Sequence, residues 1–404
     1  MKAALFLPCA GGVEPLLADE VQRLTGARAE TARGGVWVRG DARTAMLLNL
    51  ESRLAQRVLW PVAEGRYRDE HDLYRAAREV DWTAWITPAQ TLRVDVSAQR
   101  SPLTSLNFAA LRIKDAVCDT LRDATGARPS VDTRRPDLPL ALFVGPEHFT
   151  LYVDTSGEAL FKRGWREAKG EAPLKETLAA AMLAAIGWQG RPEDGPLLDP
   201  CCGAGTIAIE AAQIACGIAP GAQRRFAFEG QMPFRGQQAA WRDLKRAAQA
   251  RVRPSPVPIF AGDVSFRMTD FATRNAERAG VRGAIEFKTM DALQRPPPAA
   301  TGTILMNPPY GERIAPKGQG QGGDRAARQG FDGGGSAGDF FAALASHWKH
   351  HYPGWTAWLL SPEMKLPGLM RLKESRRVPM WNGPIECRLL RFDLVAGSAR
   401  APAG

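Results

Sequence analysis

An Asn-Pro-Pro-Tyr sequence at residues 307–310 is the most specific chemical signal in this chain of 404 residues. The exocyclic amine of a nucleobase is a poor nucleophile, because its lone pair is delocalised into the ring. The side-chain oxygen of Asn307 and a carbonyl fixed by Pro308 can accept both amine hydrogens and stabilise the charge that develops. Tyr310 offers a stacking face to a base rotated out of its helix. The motif favours chemistry at a base amine over its alternative, a rigid turn after a strand.

A glycine turn between an apolar strand and a helix forms the second candidate site. Asp199 ends the strand segment Leu-Leu-Asp, and Gly203 and Gly205 lead into the helical segment that follows. Glycine lets a ligand approach the backbone, and the free N–H groups at a helix start can hold a carboxylate or phosphate. Asp199 can accept a hydrogen bond from an amino group at the same place. Together they predict a site for an amino acid, although a glycine pair alone is equally typical of a turn that serves packing.

Two further aspartates end the next two predicted strands. Asp263 closes the segment IFAGD and can accept both hydroxyls of a ribose. Asp291 closes IEFKTMD and can accept a hydrogen bond from an adenine amino group. Each alone is more typical of a helix cap, but with Asp199 they predict an adenosine joined to an amino acid. The glycine turn and Asp263 are much farther apart than the roughly 20 residues of a dinucleotide fingerprint, which disfavours NAD.

Regular alternation of strand and helix patterns over residues 166–404 predicts the frame that positions these side chains. Apolar strand segments separated by helical segments indicate an α/β doubly wound, Rossmann-like domain with a parallel sheet. Because parallel strands end at one edge of a sheet, we expect the candidate residues to meet there. Nine glycines among residues 318–338 predict a mobile loop without a packed core.

Residues 1–165 are organised differently. Their strand and helix patterns do not alternate regularly, which predicts an α+β region. Two short β segments, LALFVG and FTLYVDTSG, are expected to pair over a turn at Pro146 and Glu147. The glycine-containing segment REAKGEAP suits a linker, so we place the domain boundary at residue 165.

The amino-acid composition limits the classes of protein to which this chain can belong. Hydrophobic residues make up 45% and charged residues 24%, which is ordinary for a globular protein and excludes collagen and coiled coil. The chain has 53 Lys and Arg against 43 Asp and Glu, and the net charge of +10 permits a polyanionic partner. No apolar stretch approaches the roughly 18 residues that cross a bilayer, so no membrane partner is expected.

Cysteine and histidine patterns argue against a metal or disulfide framework. The six cysteines form no CxxC pair, which fits a reducing cytoplasm, where we expect the protein to act. Adjacent Cys201 and Cys202 are interpreted as small packing residues. His347, His350 and His351 have helical spacing, but no carboxylate or cysteine accompanies them, so an exposed helix face is favoured over a metal site.

A basic segment with interleaved aromatic residues interrupts the strand and helix pattern at residues 217–256. Its arginines and lysine, including Arg242 and Arg246, could neutralise RNA phosphates while Phe226, Phe228, Phe234 and Trp241 stack on bases. A solvated amphipathic helix with a buried Trp241 is the alternative.

Several motifs spread over nearly the whole chain give it a family resemblance. They are FLPCAGGVEPLLADEVQRL, GGVWVRGD, SRLAQRVLWPV, VDVSAQ, KDAVCDTLR, FKRGWREAKGEAPLKETLAAA, LLDPCCGAGTIAIEAA, NPPYGERI and NGPIEC. The sequence resembles the class I S-adenosylmethionine-dependent methyltransferases with an N-terminal THUMP RNA-binding domain, and among them the RlmL-type 23S rRNA guanine-N2 methyltransferases. This resemblance implies a ferredoxin-like plus THUMP region over residues 1–165 and a methyltransferase domain over residues 166–404.

The resemblance also implies roles for the candidate residues. S-adenosylmethionine would be bound by residues of the glycine turn and the strand ends, namely Asp199, Gly203, Gly205, Asp263 and Asp291. The target base would be held by Asn307, Pro308 and Tyr310. The implied partner is 23S rRNA or a large-subunit precursor, with methylation of a guanine N2 amine. The chain ends at Gly404 without the second methyltransferase half of some fused relatives, so one modification is expected.

Three other functions remain open from the residues alone. The target could be a guanine N2 in tRNA, or an adenine N6, because NPPY suits any planar amine. The fold could also serve a non-catalytic RNA-binding assembly factor.

Overall fold

The computed structural model describes residues 2–167, 174–308 and 337–395. Contacts divide the chain into two compact units, each made of discontinuous segments. The first unit comprises Met1–Cys9, Glu14–Lys162 and Pro220–Ala248. The second comprises Ala10–Val13, Arg163–Ala219 and the described residues after Ala248. The domain boundary placed at residue 165 stays a prediction. The contacts divide the chain in another way, since they assign residues 220–248 to the first unit.

The elements are numbered in chain order. The first part of the chain contains β1 (Ala3–Pro8), α1 (Glu14–Thr25), β2 (Ala29–Ala32), β3 (Gly35–Gly40), α2 (Ala42–Glu51), β4 (Leu59–Arg66), α3 (Glu70–Arg78), β5 (Thr91–Ala98), α4 (Leu106–Thr125), β6 (Ser130–Val131), β7 (Leu138–Val144) and β8 (His148–Asp154). The remainder contains α5 (Glu176–Ile186), β9 (Leu197–Asp199), α6 (Thr206–Ala215), α7 (Gln238–Ala250), β10 (Ile259–Asp263), α8 (Phe266–Arg278), β11 (Ile285–Thr289), β12 (Thr303–Met306), α9 (Ala337–His351), β13 (Thr356–Ser361), α10 (Leu366–Met370), β14 (Arg376–Asn382) and β15 (Ile385–Asp393).

One eight-stranded sheet, in the order β2-β3-β1-β4-β8-β7-β5-β6, forms the frame of the first unit. Its strands pair antiparallel except for β5, which runs parallel to β6 and β7. The predicted pairing of β7 and β8 is confirmed: Val144 lies opposite Phe149, and the Gly145 N–H donates to the His148 carbonyl at 2.8 Å. The α+β class is therefore confirmed.

The aromatic residues of the basic segment lie in the core of the first unit. Phe228 is 1% exposed, its ring centroid is 5.0 Å from that of Trp241, and Phe234 packs edge-on against Trp60. These rings are covered, so the prediction that they stack on bases is wrong. The predicted amphipathic helix with a buried Trp241 is confirmed, and its basic residues are exposed, so a contact between them and RNA phosphates stays a prediction.

A seven-stranded sheet, in the order β11-β10-β9-β12-β13-β15-β14, forms the frame of the second unit. The strands from β11 to β13 are parallel, with helices between them, which confirms the Rossmann-like fold. The predicted parallel pairing is confirmed for these strands, and the sheet as a whole is mixed, because β15 runs antiparallel to β13 and β14. The turn between β14 and β15 is too short for a crossover, and two strands joined directly must run antiparallel.

Apolar side chains fill one face of this second sheet. Phe341, Leu344 and Trp348 of α9, each at most 2% exposed, pack with Ile304 and Leu359 of the strands beneath. Because α9 begins at Ala337, only the last two residues of the predicted loop 318–338 are described, and they lie in the helix. The rest of the loop lies outside the described residues. Among the helices that the structure describes, none is both long and apolar enough to span a membrane.

Candidate active site

The structure brings the ends of four neighbouring strands to one edge of the second sheet. The central strand β9 lies between β10 and β12, so Asp199 has Asp263 on one side and Asn307 on the other. Asp291 follows β11, although it lies two residues beyond the strand end rather than within it. This edge is where ligands bind in open α/β sheets.

Backbone hydrogen bonds hold the glycine turn after β9 against the end of β10. The Cys202 N–H donates to the Gly262 carbonyl at 2.7 Å, and the Gly203 N–H donates to Asp263 Oδ2 at 3.1 Å. Gly205 has a φ of 86°, and a Cβ atom built there would lie 3.0 Å from the Cβ of Ala272. Glycine is therefore required at this position for both its backbone conformation and the close approach of α8.

The first turn of α6 presents buried donors toward the glycine turn. Thr206, Ile207 and Ala208 are at most 5% exposed. Their backbone N–H groups have no acceptor among the residues that the structure describes. Free N–H groups and the positive end of the helix dipole form a site for an anion.

Asp199 is a buried carboxyl group at the centre of the site. It is 1% exposed, and its Oδ1 accepts from the Cys201 N–H at 3.3 Å. Burial raises the pKa of Asp199 to about 8, and the nearby charge of Asp263 adds to the effect, while the Cys201 N–H and the Arg295 guanidinium oppose it. Asp199 forms no ion pair with a residue that the structure describes, so this buried carboxyl is suited to a ligand that brings a cation.

The other two aspartates already accept backbone hydrogen bonds. Asp263 accepts from Gly203 and, at 3.0 Å, from the Ser265 N–H, while burial raises its pKa. Asp291 Oδ1 accepts from the Leu293 N–H at 2.9 Å. Each carboxylate oxygen has a further lone pair, so both groups can still accept hydrogen bonds from a ligand.

Asn307 carries a buried acceptor without a donor. It follows β12 directly, and its side-chain oxygen has no hydrogen-bond partner among the described residues. Pro308 beside it is buried. Tyr310 lies outside the described residues. A buried oxygen without a hydrogen bond destabilises the folded protein, and a hydrogen bond from a ligand N–H would remove this penalty.

The two thiols in the turn are neutral, which suits the packing role predicted for them. Burial raises the pKa values of Cys201 and Cys202 well above the ordinary value, so both stay protonated. Within the described ranges, no group of three or more His, Cys, Asp or Glu could hold a metal ion. His347 Nε2 lies 2.7 Å from the Arg295 carbonyl, whereas His350 and His351 are exposed.

Arg295 is a residue of the site that the sequence analysis missed. It is 3% exposed, and its Nη1 donates to the Ala261 carbonyl at 3.2 Å. Gly262 leaves room for it, since a Cβ there would lie 2.3 Å from that nitrogen. The signal in the sequence is weak: a single arginine four residues after Asp291, before three prolines.

Three sequence families match successive parts of the chain. Residues 4–59 match the RlmL ferredoxin-like domain, residues 67–154 the THUMP domain, and residues 163–322 the RMKL-like methyltransferase domain. The ferredoxin-like and THUMP assignments implied by the resemblance are thereby confirmed.

Relatives and a solved structure extend the match. A Synechocystis protein named as a candidate RNA methyltransferase is 34% identical over 391 residues, covering 96% of each chain. The ribosomal RNA large subunit methyltransferase K/L of Shewanella amazonensis is 35% identical over 98% of this chain, which spans 54% of that relative's length. A candidate methyltransferase crystallised with SAH (S-adenosylhomocysteine) is 25% identical and matches this structure with a TM-score of 0.83. The match covers 97% of this chain and 98% of that one.

The arrangement at the sheet edge fits S-adenosylmethionine, the methyl donor of such enzymes. The donor has an ammonium and a carboxylate, and the site has a buried carboxyl at Asp199 and unpaired buried N–H groups at the start of α6. The glycine turn allows the backbone to approach the ligand. The chain therefore belongs to the THUMP-domain family of S-adenosylmethionine-dependent RNA methyltransferases, with an RMKL-like methyltransferase domain.

Proposed function

We propose that this protein methylates the exocyclic N2 amine of a guanine in 23S rRNA of the large ribosomal subunit. The observation that carries the proposal is the buried side-chain oxygen of Asn307, which lacks a partner among the described residues. It lies at the strand end beside the glycine turn, where an amine of the substrate would meet the donor. Matched relatives named as large subunit methyltransferases support rRNA as the substrate.

Each candidate residue has a proposed task in donor binding. Asp199 binds the ammonium group, and the N–H groups at the start of α6, beyond Gly203 and Gly205, bind the carboxylate. Asp263 accepts hydrogen bonds from the ribose hydroxyls, and Asp291 from the adenine amine. All of these contacts use lone pairs or N–H groups that the fold leaves available.

The proposed catalysis depends on positioning. The bound donor supplies an electrophilic methyl group. Asn307 Oδ1 accepts one amine hydrogen and the Pro308 carbonyl accepts the other, so the nitrogen lone pair is turned out of conjugation. Tyr310 stacks on the base. Holding the amine in this orientation removes much of the entropic cost of reaction.

The N-terminal region is proposed to recruit the RNA. Residues 1–165 contain the THUMP match, and the chain as a whole has a net charge of +10, which permits a polyanionic partner. The methyl-transfer chemistry is assigned to residues 166–404. The cytoplasm stays the predicted location.

Nucleoside mass spectrometry tests the proposed function directly. Purified protein and labelled donor are incubated with 23S rRNA, with large-subunit precursors and with tRNA, and digests of each RNA are compared with digests from a deletion strain. N2-methylguanosine in 23S rRNA, lost on deletion and restored by the wild-type gene, is the expected result. The same product in tRNA or N6-methyladenosine in rRNA would contradict the assignment, and no methylation of any RNA would favour an assembly factor.

Replacing Asp263 by alanine is expected to weaken donor binding. Loss of two hydrogen bonds to a charged acceptor costs about 1.5–3 kcal/mol, roughly a 10- to 150-fold rise in Kd. Because Asp263 also fixes the Gly203 N–H, Asp263→Asn should lose less affinity than Asp263→Ala. Calorimetry with S-adenosylhomocysteine measures both variants. Asp270→Ala, which removes an exposed carboxylate on α8, is the control, and an equal loss in that variant would contradict the role of Asp263.

Replacing Arg242 and Arg246 together by glutamine is expected to weaken RNA binding without regard to sequence. Both side chains are exposed on α7. Each lost phosphate contact should reduce the slope of log RNA affinity against log salt concentration by roughly 0.7–0.9. The slope should therefore fall by up to about 2 in the double variant. Filter binding at several salt concentrations measures the slope. Arg191→Gln with Arg274→Gln removes the same charge elsewhere, and an equal effect there would contradict a contact at α7.

A further inference from the structure

A short segment before α5 runs beside α6 and is held by buried ion pairs. Arg163 Nε lies 3.0 Å from Glu210 Oε1 on α6, and both side chains are at most 1% exposed. The Trp165 carbonyl accepts from Arg278 Nε at 2.8 Å. These contacts hold the segment that directly precedes Arg166.

Arg166 reaches the first residue of α6. Its Nη2 donates to Thr206 Oγ1 at 2.7 Å and to the Leu174 carbonyl at 3.3 Å, and its Nε donates to Glu176 Oε1 at 2.7 Å. The arginine side chain is 10% exposed and Glu176 is 4% exposed. Burial raises the pKa of Glu176, while the neighbouring guanidinium lowers it. The carboxylate thus orients the guanidinium toward the helix.

The second terminal nitrogen of this guanidinium is unused. Nη1 of Arg166 is buried and has no hydrogen-bond partner among the residues that the structure describes. It is bonded to the same carbon as Nη2, so it lies beside the turn that contains Thr206. A buried cation with two unsatisfied N–H bonds is unusual unless a ligand completes it.

The same turn also presents backbone donors. The N–H groups of Thr206, Ile207 and Ala208 have no acceptor among the described residues. Because the Thr206 hydroxyl accepts from Arg166, its own hydrogen is directed elsewhere and can be donated. Two independent sets of unsatisfied donors, one on the backbone and one on a guanidinium, therefore converge at the start of α6.

We infer that Arg166 Nη1 binds the carboxylate of the methyl donor, together with the first N–H groups of α6. A planar guanidinium matches a carboxylate in geometry and charge. Glu176 acts as a positioning residue, since it touches Arg166 and not the donor. This inference rests on the assignment of S-adenosylmethionine as the donor, and it does not depend on which RNA is methylated.

The test compares two ligands that differ only in the carboxylate. The dissociation constants of S-adenosylhomocysteine and of its decarboxylated analogue are measured by calorimetry for the full chain. The variant is Arg166→Met combined with Glu176→Gln, which leaves no unpaired buried charge. We expect the preference for the carboxylated ligand to fall at least tenfold, with a smaller fall in Arg166→Lys. The ratio of two constants within one variant is independent of the fraction that folds.

A matched control uses the other buried pair on the same helix. Arg163→Met with Glu210→Gln removes a buried Arg–Glu pair one turn farther along α6 and should keep the wild-type preference. An unchanged preference in the Arg166 double variant would overturn the inference and leave the carboxylate to the helix N–H groups. An equal loss in the Arg163 control would also overturn it, because the effect would then be structural. If the wild-type chain binds neither ligand, the donor assignment itself fails.

Discussion

Asn307→Ala is expected to lower the rate of methyl transfer by about 100- to 1,000-fold while leaving donor affinity nearly unchanged. The side-chain oxygen is buried and has no partner among the described residues, so it is free to accept the substrate amine. That hydrogen bond strengthens as positive charge develops on the nitrogen, and its loss therefore appears in the rate. Single-turnover methylation measures the rate, and calorimetry with S-adenosylhomocysteine measures donor affinity.

Asn307→Asp is the companion variant, because it keeps an acceptor oxygen of the same shape. We expect it to retain more activity than Asn307→Ala. A rate within tenfold of the wild type for Asn307→Ala, or a loss of donor affinity equal to the loss of rate, would contradict the assignment of Asn307 to the amine.

Asp199 is expected to make donor binding strongly dependent on pH. Burial raises its pKa to about 8, so at lower pH the ligand-free site holds a protonated carboxyl. Binding of an ammonium group requires the carboxylate, and one proton is therefore released. Affinity for S-adenosylhomocysteine should rise by up to about tenfold per pH unit as the pH increases from about 6 toward 8. Calorimetry in buffers of different ionisation enthalpy counts the released proton.

Two variants separate Asp199 from the other carboxylates. Asp199→Asn should bind the donor weakly and lose the pH dependence. Asp291→Asn keeps the carboxyl group of Asp199, so its donor binding should still depend on pH even if its donor affinity is lower. Binding by the wild type without proton release would refute the role of Asp199.

The same carboxyl should affect stability in the opposite direction. Its pKa is about 8 in the folded chain against the ordinary value of 3.8, so between these values the folded state keeps a proton that the unfolded state releases. The stabilisation is complete below about pH 4 and is lost as the pH rises through about 8. Ligand-free Asp199→Asn, which is always neutral, should therefore have a higher Tm than the wild type at about pH 8.5.

The candidate site could be found from the sequence because it depends on local patterns. Asp199, Asp263 and Asn307 each follow a short apolar strand, and a regular alternation of strands and helices aligns such ends at one edge. The contacts between these residues were not available from the sequence. Gly203 was predicted as part of a ligand-binding turn, but the hydrogen bond from its N–H to Asp263, 60 residues away, appears only in the structure.

The segment around α7 shows where local pattern fails. Phe226 and Trp241 look like a base-stacking surface in sequence, yet they pack in the first unit with Phe228 and Phe234, and Phe234 packs against Trp60. Their burial depends on partners more than 150 residues earlier in the chain. A fragment beginning at residue 166 would therefore expose apolar rings that the complete chain covers.

The fold class, the strand-end residues and the glycine turn could be predicted from the sequence alone, because periodicity and turn chemistry are properties of neighbouring residues. The direction of β15, the burial of Trp241 and the contact between Arg166 and Thr206 could be found only in the folded chain. These features depend on contacts between residues that are distant in the sequence, and the energies of such contacts cannot be read from a short stretch of sequence. Burial also sets the pKa of Asp199, since the cost of a charge depends on the side chains that exclude water from it.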